Sequence, residues 1–127
     1  MFPALLLAGD WPQWGGTPSR NMVSPETGLP AVAEVGKVND QSGELETKGA
    51  KNLKWVARLG TQSYGNPTVA GGKVYVGTNN EHARNDKLKG DYSILYCFNE
   101  ADGKYLWQLA VPKLKEGKNV DWEGIGI

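Results

Sequence analysis

The run YSILYCFN, residues 92–99, constrains the fold more than any other stretch, because it is apolar at nearly every position from 93 to 98. A strand with one wet face alternates polar and apolar residues, whereas a strand covered on both faces does not. Residues 92–99 are therefore expected to form a strand packed on both sides. The turn Asp102-Gly103 follows, with Gly103 accepting backbone angles that other residues resist. Residues 104–111, KYLWQLAV, are expected to return beside the first strand.

Upstream, NPTVAGGKVYVGT offers two short strands, about 66–70 and 73–78, joined through Gly71-Gly72. Adjacent glycines suit the positive φ angles of a tight hairpin. Residues 53–59, LKWVARL, alternate apolar Leu53, Trp55, Ala57 and Leu59 with Lys54, Val56 and Arg58, the period of a half-buried strand. The expected fold class is all-β, with a four-stranded antiparallel meander over 65–111. Composition agrees: 17 Gly, 7 Pro, 5 Trp and 5 Tyr against 2 Met and 2 Phe favour turns and strands over long helices. In an all-β chain, a small four-stranded sheet gains cover on both faces by stacking between other sheets, as propeller blades do.

The first 52 residues are less regular. Residues 1–9 resemble the remnant of an export signal, with cleavage near Ala8 or Gly9, although no Lys or Arg precedes the apolar run. That run is too short for a membrane span, which needs about 20 apolar residues. Residues 10–52 are expected to be an irregular arm and linker. Trp11 and Trp14 are expected to pack their indoles, and Ser24-Pro25-Glu26-Thr27 has Pro at a first helical position with nothing apolar following at helical spacing. Residues 37–52 are polar and charged, and are expected to be a loop or linker.

Trp55 and Trp107 recur in similar strand contexts at a spacing of about 50 residues, near the period of propeller repeats. The stretch CFNEADGKYLW resembles the repeat motif of pyrroloquinoline-quinone-like (PQQ-like) β-propellers. The resemblance puts Cys97 at the small-residue position, Asn99 at the Asx position, Asp102 where Thr is usual, Gly103 at the turn glycine and Trp107 at the docking tryptophan. Cys for Ala and Asp for Thr depart from the family pattern. GNPTVAGGKVYVGT is similar to the first two strands of such a blade. The resemblance implies a closing strand at 53–59, a blade at 65–111 and the start of a next blade at 120–127. A ring of four blades needs roughly 160 residues or more, so this chain of 127 residues is expected to be a propeller fragment.

Lys plus Arg balances Asp plus Glu, 14 against 14, so no net field draws the chain to nucleic acid. The single cysteine, Cys97, can form neither an internal disulfide nor a cysteine-rich metal site, and its apolar surroundings fit a small buried hydrophobe. Residues 79–91 are a polar insertion between strands and the best candidate for a binding loop, through Asn79, Asn80, Glu81, His82, Asn85, Asp86 and Asp91. These residues hold oxygen ligands enough for Ca²⁺ but lack a calcium-loop spacing, so no metal site is assigned. His82 has no nucleophile to serve, and no catalytic residue is assigned. Asp121 and Glu123 beside Trp122 could line a channel, and KLKEGK, residues 113–118, reads as a solvated loop.

The favoured reading is an exported scaffold of the periplasm or cell envelope that is not an enzyme. It resembles the lipoprotein propeller of the outer-membrane β-barrel assembly machine, with peripheral or outer-membrane association and a protein or small-molecule partner. The alternative is a PQQ- and Ca²⁺-dependent dehydrogenase of alcohols or sugars. Members of that kind resemble one another in a neighbouring cysteine pair, a Glu, Asn and Asp set around Ca²⁺ and a catalytic Asp. None of these is visible in this sequence.

Overall fold

The computed structural model describes residues 9–39, 41, 42 and 44–113. Residues 1–8 of the expected export remnant at 1–9, most of the expected loop at 113–118 and the expected next-blade start at 120–127 with Asp121, Trp122 and Glu123 lie outside the described residues. Among the described residues all regular structure is strand, and no helix is long and apolar enough to cross a membrane. The chain divides into two compact units, one from residues 1–24 and 57–127, the other Pro25–Val56.

The larger unit carries one antiparallel sheet of four strands in chain order: β3 (Thr68–Ala70), β4 (Lys73–Asn79), β5 (Tyr92–Asn99) and β6 (Tyr105–Pro112). Gly71 and Gly72 join β3 to β4 with φ of 56° and 73°, the paired positive angles of a two-residue hairpin turn. At the other hairpin, Asn99 Oδ1 accepts the Ala101 N–H at 2.7 Å, and the Gly103 N–H donates to Asn99 O at 2.9 Å. Asp102 Oδ1 accepts the Lys104 N–H at 3.0 Å, so the carboxylate bonds the turn.

Pairing fixes two faces. On one lie Val74, Val76 and Thr78 of β4, Ile94, Tyr96 and Phe98 of β5, and Tyr105, Gln108 and Ala110 of β6. On the other lie Tyr75, Leu95, Cys97, Trp107, Leu109 and Val111. Ser93, Ile94, Tyr96, Cys97 and Phe98 are all buried, so β5 is covered on both sides, as its unbroken apolar run predicts. Burial of each large side chain there stabilises by about 1.5–3 kcal/mol.

The register slips between Cys97 and Phe98, so that Phe98 faces Tyr105 while Cys97 faces Trp107 and Leu106 is the extra residue. Without this bulge, Tyr105 and Trp107, two apart, would share a face. With it, Tyr105 joins Tyr96 and Phe98, and Trp107 joins Cys97 and Tyr75. The Tyr75 and Trp107 rings stand 6.0 Å apart, both opposite Cys97 in register, which accounts for a small residue at that position.

β3 is shorter than the run 66–70 expected of it, and residues 60–63 extend its edge of the sheet. The Asn79 N–H donates to Gln62 O at 3.2 Å, and Ser63 Oγ donates to Gly77 O at 2.5 Å. On the far side of β3, Trp11 and Val69 exchange backbone hydrogen bonds of 2.8 and 3.0 Å, and the Asp10 carboxylate accepts the Gly71 N–H. Trp11 lies against Gly16, where a Cβ would approach the indole to 2.6 Å. Trp14 is 62% exposed, within the turn closed by the Gly16 N–H on Gln13 O.

No strand forms over residues 53–59 among the described residues, although the expected alternation of half-buried and exposed side chains is present. Alternation records which side chains prefer cover. A strand also needs a neighbouring backbone.

The smaller unit corrects the loop expected at 37–52. β1 (Lys37–Val38) and β2 (Leu45–Glu46) pair antiparallel, and a bridge between Glu34 and Lys51 lies beyond them. Asn39 organises this hairpin: its Oδ1 accepts the N–H groups of Gln41 and Ser42 at 2.9 and 3.0 Å, its N–H donates to Glu44 O, and its Nδ2 donates to Glu46 Oε1. The element is polar and has no hydrophobic period to reveal it. An Asx turn and a short ladder define it instead. The exposed Lys51–Glu34 ion pair at 2.8 Å adds little.

Candidate functional site

The excursion from β4 to β5 is closed at its neck by one side chain. Asn80 Nδ2 donates to Gly90 O at 2.8 Å while its Oδ1 accepts the Tyr92 N–H at 3.0 Å, so both ends of residues 80–91 are tied together. Within the loop, Asn85 Oδ1 accepts the Lys87 N–H and Asn85 O accepts the Leu88 N–H, a local turn of the kind Asn favours.

Residues 58–63 are stitched to this loop. Asn79 is fully buried; its Oδ1 accepts the Thr61 N–H at 3.0 Å and its Nδ2 donates to Thr61 Oγ1 at 2.9 Å. Thr61 Oγ1 in turn donates to the Glu81 carboxylate. Thr78 Oγ1 accepts the Gly60 N–H and donates to Gln62 O. Arg58 Nη2 lies 3.3 Å from both ring nitrogens of His82, and Arg84 Nη2 donates to Arg58 O at 2.7 Å.

The result is an open groove of about 610 Å³, lined by Arg58, Glu81, His82, Asp86, Leu88 and Lys89 among others. Its charges are mixed, with both signs exposed to solvent. Such a lining suits a polar ligand.

Of the loop residues singled out in the sequence, Asn80, Glu81, His82 and Asp86 line the groove. Asn79 is committed to the sheet edge and Asn85 to its turn, and neither these nor Asp91 belongs to the lining. Among the described residues no three His, Cys, Asp or Glu side chains converge as a metal site. Sequence reasoning missed Arg58, which lies far away in the chain, and Lys89, one charge in a charged run. Only the fold brings Arg58 to His82.

The residues that carry the sequence resemblance occupy structural positions. Asn99, Asp102 and Gly103 build the β5–β6 turn, Cys97 is buried, and Trp107 sits on the outer strand 42% exposed. Trp55 is half-buried in the smaller unit. Burial pushes the Cys97 thiol up, with nearby Lys73 acting in the opposite sense, so the nucleophilic thiolate is disfavoured. In comparisons with known proteins, no family model, no curated protein and no solved structure matches the chain.

Proposed function

We propose that the chain supplies a blade to a larger β-propeller of the PQQ-like kind, exported to the periplasm or cell envelope, where it serves as a binding scaffold. The observation that carries this reading is the inversion of β6. Gln108 and Ala110 are the half-buried residues, while Trp107, Leu109 and Val111 face outward at 42%, 54% and 46% exposure. A strand at the edge of a self-sufficient sheet turns polar residues outward. This one keeps an apolar stripe, and the resemblance of CFNEADGKYLW to a PQQ-like repeat supports a docking role for Trp107 on a neighbouring blade. The groove beside residues 80–91 is the ligand or partner surface in this reading, since scaffold loops carry binding.

Sedimentation equilibrium tests the stripe. The chain is expected to self-associate, and Leu109→Lys to abolish association without changing the far-ultraviolet circular dichroism. A wild-type chain that stays monomeric, with a sharp and concentration-independent unfolding transition, overturns the reading. Titration with PQQ and Ca²⁺ separates the two classes of propeller: saturable quinone binding moves the assignment to a dehydrogenase, and none leaves a scaffold.

A further inference from the structure

We infer that Tyr96, Phe98 and Tyr105 form a cation-binding cage, filled in this state by the chain's own Arg84, for which an external guanidinium or quaternary ammonium group competes. The three rings are steeply inclined to one another. Tyr96 and Phe98 meet at 49° with centroids 5.7 Å apart, Tyr96 and Tyr105 at 79° and 6.1 Å, and Phe98 and Tyr105 at 69° and 6.3 Å. Three mutually tilted walls make a cup, and the negative faces of aromatic rings attract a cation held over them.

Arg84 occupies that cup. Its Cζ lies 5.3 Å from the Tyr96 centroid and 5.4 Å from those of Phe98 and Tyr105, all inside the range at which a guanidinium is held by a ring. No carboxylate pairs with Arg84 among the described residues, so the ring faces and Arg58 O meet its charge. Arg84 itself is exposed, and the cup therefore opens to solvent.

A second observation is independent of the ring geometry. The Tyr96 hydroxyl is buried and meets no partner at full hydrogen-bond geometry among the described residues, with the Arg84 backbone and guanidinium lying beside it. Burial raises the Tyr96 pKa, while the Arg84 backbone and guanidinium beside the hydroxyl act to lower it; the neutral phenol can accept from the N–H of a guanidinium, whereas a quaternary ammonium is held by the ring faces alone. The bulge contributes as well, since it turns Tyr105 onto this face. The inference does not rest on the propeller reading, because the cage is complete within one sheet and its own loop.

The test uses the full 127-residue chain and Arg84→Ala, titrated with choline and methylguanidinium and followed by amide and aromatic NMR shifts. Arg84→Ala is expected to bind both cations saturably, about tenfold more tightly than the wild type, in which Arg84 competes. Tyr105→Leu added to Arg84→Ala is expected to lose about tenfold in affinity. The neutral isostere of choline, 3,3-dimethylbutan-1-ol, is expected to bind at least about tenfold more weakly. Equal binding of choline and its neutral isostere, or no saturation in Arg84→Ala, overturns the cage. Should Arg84→Ala fail to fold, the wild type decides. Its Arg84 side-chain protons are expected to show upfield ring-current shifts, and shifts at random-coil positions overturn the proposal.

Discussion

At Gly60 an added Cβ would lie 2.0 Å from Asn79 Oδ1 and 2.4 Å from the Asn79 carbonyl oxygen, both held in place by the sheet edge. Gly60→Ala is therefore expected to destabilise by about 1–3 kcal/mol, the cost of overpacking a closed site, as read from urea denaturation. An unchanged midpoint would show that residues 60–63 do not hold this edge. Cys97 and Tyr96 make a second prediction at this scale. Burial raises both groups above their ordinary values of 9.0 and 10.0, so the fold favours their protonated forms. The stability they contribute is fully present below those values and is lost as pH rises through the raised native ones. The urea midpoint is expected to hold from about pH 7 to 8 and to fall above about pH 9, with a shallower fall in Cys97→Ala. A flat profile to about pH 11 would contradict the burial of both groups.

Among the elements, β4 and β5 were legible in the sequence almost to the residue: 73–78 was expected and Lys73–Asn79 formed, 92–99 was expected and Tyr92–Asn99 formed. Both carry a dense apolar signal ended by turn residues. β1 and β2 were illegible because their hairpin is set by hydrogen bonds of Asn39 and not by a hydrophobic period. Residues 53–59 had the period and formed no strand. The β5–β6 hairpin gives a prediction of its own. Asn99→Ala removes the acceptor for the Ala101 N–H and is expected to cost about 1 kcal/mol by thermal or urea unfolding. A loss below the error of the measurement would mean that Gly103, with φ of 71°, suffices to set the turn.

Over the whole molecule, the balance of cover decides what Trp107 is worth. At 42% exposure it packs on Tyr75 but leaves much of its surface in solvent. In the monomeric chain, obtained with Leu109→Lys, Trp107→Ala is expected to cost about 1–2 kcal/mol, a fraction of the roughly 3–5 kcal/mol of a fully buried aromatic. If the chain docks as the proposed propeller blade, the same change is expected to reach the full value in the assembly. Equal costs in both settings, measured by urea unfolding, would rule out the docking role proposed for Trp107.

The sequence by itself determined the all-β class, the meander over 65–111 and its turns, because unbroken apolar runs, paired glycines and Asx residues act locally. It also marked the loop that carries Asn80, Glu81, His82 and Asp86. Tertiary structure decided what depends on register and on distant partners. A one-residue bulge sends Tyr105 and Trp107 to opposite faces, giving one to the Arg84 cup and the other to the exposed apolar stripe. No period in the sequence marks that slip, since it arises where two strands meet. Arg58 reached His82, and Arg84 reached Tyr96, Phe98 and Tyr105, for the same reason: long side chains find partners through the fold and not through spacing along the chain.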